Sequence, residues 1–175
     1  MRDGSLDLFL WNMNLADETS NGSKSGGGCV IRAAVVSDVA AIKECAVAAY
    51  SKYIERIGKS PAPMMADFQS LVNAGHVSVA CCEKNLVGYV VFYRKQNAMH
   101  LENVAVYPDF VGRGIGKSLI RYVEKRAADI GVGCVELYTN AAMTENLALY
   151  PALGYEEYDR RVEDGFNRVY FRTRL

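Results

Sequence analysis

From Cys29 onward the chain switches repeatedly between two hydrophobic periods. The run "CVIRAAV" is strand-like, and after it Val39, Ile42, Cys45, Ala49, Tyr53 and Ile57 recur at helical spacing. Ser37 or Asp38 supplies an N-cap for that helix, and Gly58 supplies its stop. In "KSPAPMM" each proline biases its predecessor away from the helix, so an extended connection is expected, followed by a short helix around "MADFQSLVNA" before Gly75. The runs "HVSVACCE", "LVGYVVFYR" and "MHLENVAVY" are β-branched and aromatic. Turn residues such as Lys84-Asn85 and Lys95-Gln96-Asn97 split them, which predicts an antiparallel meander. Ile115, Leu119, Val123, Ala127 and Ile130 then mark one face of a helix that stops at Gly131. "CVELYT" reads as a strand and "MTENLALYPAL" as a helix. "GYEEYDRRV" and "FNRVYFRTRL" form a closing hairpin that turns at Glu163-Asp164-Gly165. The order β-α-α-β-β-β-α-β-α-β-β describes an α+β, or mixed α/β, fold with no internal repeat.

Composition narrows what such a fold does. The chain has 175 residues, half of them apolar or aromatic, enough for one domain over 29–175 with a sizeable core. Residues 1–28 are glycine/serine-rich toward their end and read as a loose arm. The 20 Lys+Arg cancel the 20 Asp+Glu, so no global field draws the protein to nucleic acid or an anionic membrane. A small neutral or mixed-charge partner fits better. No apolar run approaches the ~20 residues of a membrane span, and "LDLFLWNMNL" lacks the basic start of a signal peptide. Two histidines and no ligand spacing give no metal site. Cys29, Cys45, Cys81, Cys82 and Cys134 fall mostly in apolar runs without a C-x-x-C pair, which suits buried free thiols in a reducing, cytoplasmic compartment. The closing hairpin offers edge strands for a homodimer.

The stretch "YPDFVGRGIGKSLI" carries the candidate chemistry. Its Gly116-Lys117-Ser118 imitates a phosphate-binding P-loop, but that pattern needs a glycine at 111, where Val111 stands. The glycines at 112, 114 and 116 also miss the dinucleotide spacing G-x-G-x-x-G. What survives is physical: the glycines let a ligand approach the backbone, and the next helix presents unpaired N–H groups and its positive dipole end.

In this context the strand "LENVAV", then Tyr107-Pro108, then "DFVGRGIGKSLI" is similar to the acetyl-CoA motif of the GNAT superfamily of N-acetyltransferases. Val106, Pro108, Arg113, Gly114 and Gly116 match it, whereas Val111 replaces the usual Gln or Arg. Downstream, "NLALYPALGYEE" resembles the family's second cofactor-flanking helix. Tyr150 takes the family's tyrosine position, and Met143 replaces a common Asn for which Asn140 or Asn146 can substitute. The resemblance covers residues 29–175. It implies a mixed, mostly antiparallel sheet of about seven strands with about four helices, parted at an acetyl-CoA site.

The resemblance also implies roles. The main-chain N–H groups from Val111 to Lys117 (Val111, Gly112, Arg113, Gly114, Ile115, Gly116, Lys117), with Ser118 beside them, cradle the pyrophosphate. Val104, Ala105 and Val106 form the strand edge along pantetheine, and Asn140, Asn146 and Tyr150 lie on the other side. Strand alternation puts His100, Glu102, Val104 and Val106 on one face, making Glu102 or His100 the base. Tyr150 is the acid that protonates the departing thiolate. Tyr50, Tyr53, Arg56, Met64 and Met65, from the first two helices and their linker, line the acceptor pocket. The expected reaction is direct attack of a primary amine of a small molecule or peptide on acetyl-CoA. A protein N-terminus or lysine as acceptor, and a non-catalytic acyl-CoA sensor, remain as alternatives.

Overall fold

The computed structural model describes residues 28–175; apart from Gly28, the arm expected over 1–28 lies outside the described residues. Seven strands form one sheet: β1 (Cys29–Ala33), β2 (Val77–Cys82), β3 (Asn85–Lys95), β4 (Ala98–Val106), β5 (Cys134–Asn140), β6 (Glu156–Glu163) and β7 (Phe166–Arg174). Their order is β1-β2-β3-β4-β5-β7-β6. Every neighbouring pair is antiparallel except β4 and β5, which run parallel. The helices are α1 (Val39–Tyr50), the single turn α2 (Ile54–Ile57), α3 (Phe68–Asn73), α4 (Ile115–Asp129) and α5 (Thr144–Ala152).

The first helical stripe does not fold as one continuous helix. After Tyr50 a 3-10 turn, Ser51–Tyr53, intervenes before α2, and Gly58 then ends the segment at φ 79. Asp38 does not cap α1 with its side chain. Its carboxylate accepts from the Val35 N–H at 2.8 Å and pairs with Arg32 at 2.7 Å, fixing the turn that precedes the helix. Asp67 does act as a cap, accepting from the Ser70 N–H at the start of α3. The closing hairpin turns where expected: Asp164 and Gly165 take φ 52 and 72, the two left-handed positions of a type I′ turn.

The sheet has a core on each face. On one, α4 lays Ile115, Leu119, Ile120 and Val123 against Val90, Phe92, Leu101, Val135 and Leu137. On the other, α1 and α3 pack Ile42, Cys45, Phe68 and Val72 against Val77, Val79, Tyr89 and Val91. Each large apolar side chain buried this way contributes about 1.5–3 kcal/mol. Ile130, expected on the α4 stripe, instead sits just past the helix end and stays exposed.

The expectation of free thiols is also overturned. Cys29 and Cys82 form a disulfide, so the cysteines are not all free and do not argue for a reducing compartment. The antiparallel register of β1 and β2 sets these two residues opposite each other, 53 positions apart in sequence. No local spacing announces such a pairing. Cys45, Cys81 and Cys134 are free, and burial pushes the Cys45 thiol up to about 12, which leaves it unreactive.

Candidate active site

β4 pairs with β5 over only three residues, Met99, His100 and Leu101 facing Val135, Glu136 and Leu137. Beyond Leu101 the two strands part. On its other side β4 stays bonded to β3, and the Tyr107 N–H donates to the Val87 carbonyl at 2.9 Å. Successive residues of an antiparallel ladder alternate their main-chain groups between the two sides. Ala105 therefore turns its N–H and C=O toward β3, while Val104 and Val106 turn theirs into the cleft.

A bulge lies at the parting point. Val91 faces Asn103 and Phe92 faces Leu101, which leaves Glu102 as the extra residue on β4. This corrects the strict alternation expected from sequence. Val104 and Val106 pack with Leu101 on the α4 side, whereas His100 and Glu102 share the opposite face with Asn103 and Ala105.

At the far end of the cleft a 3-10 turn, Pro108–Phe110, leads to Gly112 and Gly114 at φ 83 and 80. A side chain there would meet nothing within 4 Å, so conformation and not crowding demands glycine. Gly116 lies outside the left-handed region, and an added Cβ would rest 3.7 Å from Val106. The Ser118 N–H is taken by the Gly114 carbonyl at 2.9 Å, and the Val111 N–H by the Pro108 carbonyl at 3.2 Å. Between them, the N–H groups of residues 112–117 have no main-chain acceptor among the described residues. They open the 15-residue α4 and make an anion cradle one residue shorter than expected, because Val111 is spent on its own turn. Arg113 turns back to donate to the Asp109 carbonyl at 3.0 Å and lies over the Phe110 ring.

Glu102 sits in a cage of donors. Its Oε2 meets His100 Nε2 at 2.9 Å and the Tyr93 hydroxyl at 3.1 Å, and its Oε1 accepts from the Tyr138 hydroxyl at 2.9 Å. These bonds, that of His100 foremost, outweigh burial and lower the carboxyl to about 2. An ionised carboxylate only accepts, so the His100 Nε2 that faces it carries the proton. Burial first, and then the Glu102 charge, push the Tyr93 phenol up to about 12 and raise Tyr138 as well.

A cleft of about 710 Å³ runs from the glycine loop to Glu102, and a smaller chamber of about 230 Å³ lies beyond it. Both are walled by Tyr93, Glu102, Tyr138 and Arg168, while His100 borders only the smaller one. Tyr50 and Tyr53 line the cleft as expected. The Tyr50 hydroxyl lies 3.0 Å from Asn103 Oδ1 and 2.9 Å from the Val104 carbonyl, with one proton to give to either. Arg56 and Met64 do not line it: Arg56 pairs with Glu145 at 3.0 Å, and Met64 packs on the core beneath α1. Met65 points to solvent, 78% exposed.

On the far wall, Asn140 Oδ1 accepts from the Ala142 N–H, and the Asn146 amide donates to the Thr139 hydroxyl, both at 2.9 Å. Met143 is buried beside them, its sulfur 3.6 Å from the Thr139 hydroxyl. From α5, Tyr150 reaches the cleft wall between Tyr155 and Phe171. Its hydroxyl has no hydrogen bond among the described residues, and burial raises its phenol well above the ordinary value. Sequence reasoning missed Tyr93, Asn103, Tyr138 and Arg168. Each stands on a predicted strand, and only the order β3-β4-β5-β7 brings them together.

Residues 40–155 match the model of the acetyltransferase (GNAT) family. An uncharacterized N-acetyltransferase of Methanocaldococcus jannaschii is 31% identical over 98 residues, covering 56% of this chain and 41% of that protein. The chain thus spans about two fifths of the length of that curated relative. The PaiA N-acetyltransferase of Thermoplasma acidophilum, solved in complex with coenzyme A, superposes with a TM-score of 0.70 at 15% identity, over 82% of this chain and 98% of that one. The ribosomal-protein-S18-alanine N-acetyltransferase of Escherichia coli gives 0.68 at 19% identity, over 83% and 93%. At these identities the structures speak for the fold alone, and the family match supplies the rest. The chain belongs to the GNAT family of acetyltransferases, whose acyl donor is acetyl-CoA.

Proposed function

We propose that the protein transfers an acetyl group from acetyl-CoA to a primary amine of a small molecule or peptide, by direct attack within a ternary complex. The parting of β4 from β5 carries this reading. It leaves the main chain of Val104 and Val106 facing a cleft that joins an N–H cradle to an ionised carboxylate. The residues present fit the donor. The N–H groups of 112–117 would hold the pyrophosphate, the edge of β4 would pair with the pantetheine amides, and Asn140 and Asn146 would border its other side.

When bound, acetyl-CoA supplies a thioester whose C–S bond breaks as the amine nitrogen forms the amide C–N bond. The chain's own groups handle the protons. The ammonium proton passes to Nδ1 of His100, because Nε2 already carries the proton that faces Glu102. Imidazole is its acceptor, because a carboxylate lowered to about 2 is too weak a base near neutrality. Glu102 orients the ring through its contact with Nε2. At the other end the Tyr150 hydroxyl, kept protonated by burial, donates to the departing sulfur. Full transfer from so weak an acid to a thiolate is uphill, since a thiol's ordinary pKa is about 8.5; the hydrogen bond itself supplies the stabilisation.

Initial-rate kinetics test this reading. With acetyl-CoA and amine both varied, reciprocal plots of thiol release should intersect. Parallel lines, or an acetylated protein formed without amine, would replace direct attack with a covalent intermediate.

A further inference from the structure

The smaller chamber beyond Glu102 has a charge pattern that the transfer reaction does not use. Its lining holds three cations, Lys95, Arg161 and Arg168, against two carboxylates, Glu102 and Glu163, while Asp159 and Asp164 outside the lining pair with Arg161 at 3.4 Å and with Arg168 at 3.1 Å. Both carboxylates are already supplied with donors. Glu102 has its three hydrogen bonds, and Glu163 is held by Arg168 at 2.8 Å, by Arg161 at 3.2 Å and by the Tyr170 hydroxyl. Lys95 has no ion-pair partner among the described residues. Arg168 is only 16% exposed and lies over the Tyr138 ring at 4.4 Å, while Arg161 lies over Tyr170 at 4.2 Å. The guanidinium groups are thus fixed in orientation before any ligand arrives.

Resting on the transfer reading above, we propose that this chamber is a carboxylate-binding subsite, and that the acceptor is a compact amino acid whose carboxylate sits between Lys95 and Arg168 while its amine sits at Glu102. Tyr93, Glu102, Tyr138 and Arg168 wall both cavities, which sets the two positions side by side. The Tyr138 hydroxyl touches Glu102 at 2.9 Å while Arg168 covers the same ring, so the anionic and cationic ends of the site stand about one tyrosine ring apart. That spacing suits an amine and a carboxylate in one small molecule. A polyamine would press its second ammonium against three cations. A simple amine would leave Lys95 without an ion-pair partner.

Calorimetry tests the subsite without turnover. With coenzyme A saturating, a panel of L-amino acids is titrated against the matching carboxamides, decarboxylated amines and a diamine. At least one acid should bind roughly 10- to 100-fold more tightly than its carboxamide, as expected for charge-assisted hydrogen bonds. Lys95→Met should shrink that ratio at least about fivefold, and Lys95→Arg should preserve it. No acid favoured over its carboxamide, a ratio untouched by Lys95→Met, or tightest binding of the diamine would each overturn the subsite. Thiol release on the same panel separates the two claims: turnover without acid preference sinks the subsite alone, and acid-selective binding without turnover sinks the transfer reading alone.

Discussion

Three hydrogen bonds keep the Glu102 carboxylate ionised down to about pH 2, and this has consequences for both stability and rate. The fold lowers its pKa from 4.5, so the stabilisation is complete above about pH 4.5 and is lost as pH falls through about 2. Urea midpoints measured at about pH 6 and about pH 3 should therefore diverge more for the wild type than for Glu102→Gln, which has no charge to lose. Equal divergence would deny the cage its role. For rate, a group ionised from pH 2 upward cannot produce an acid limb near neutrality. A limb there should vanish in His100→Gln, and a limb unchanged by that substitution would remove the imidazole as the base. Tyr150 makes a separate claim. Tyr150→Phe keeps the ring packed against Tyr155 and Phe171 but removes the hydroxyl, and should lower kcat by about 10²–10⁴ with little change in KM for acetyl-CoA. An unchanged kcat would remove it as the acid.

Among the elements, the turn into α4 and the parted edge of β4 do most for the site. Gly114 needs its left-handed φ, whereas Lys117 contributes mainly a main-chain N–H. Gly114→Val should weaken acetyl-CoA binding by roughly 5- to 150-fold, the cost of about 1–3 kcal/mol of backbone strain. Lys117→Ala should weaken it by no more than about fivefold. Titration of both variants checks the order, and a reversed order would return the binding to side chains. The α4 stripe, the meander and the Asp164-Gly165 turn were legible because each rests on a local period or a local φ requirement. The bulge at Glu102 was not, since two residues facing one exists only relative to β3. For the same reason alternation misplaced Glu102 with Val104. Tyr93, Tyr138 and Arg168 were equally hidden, because their meeting point is set by the neighbours each strand acquires. Arg56 and Met64 were placed only by belonging to the first helices and their linker, which does not say which side chains turn into the cleft: Arg56 turns to Glu145 and Met64 to the core.

Across the whole molecule, the sheet separates two tasks. The α4 face presents the anion cradle, and the α1 face carries Glu102, His100 and the smaller chamber, so in the proposed reaction donor and acceptor would meet where β4 leaves β5. Clasps close the rim: Arg56 reaches Glu145, and Lys59 donates to the Asp164 carbonyl at 2.9 Å and lies 3.5 Å over the Phe166 ring. At the opposite edge the Cys29–Cys82 disulfide fastens β1, far along the sheet from the site. Reduction, or Cys82→Ser, should cost about 2–4 kcal/mol of stability by urea unfolding. Alkylation of the unreduced unfolded chain should label three thiols, Cys45, Cys81 and Cys134; five labelled thiols would contradict the pairing. The central claim is acetyl transfer to an amine, and mass spectrometry of a primary-amine panel incubated with the protein and acetyl-CoA tests it most directly. An acetylated amine should form in step with an equal amount of free coenzyme A. Tight acetyl-CoA binding with no acetylated amine from any member of the panel would contradict it.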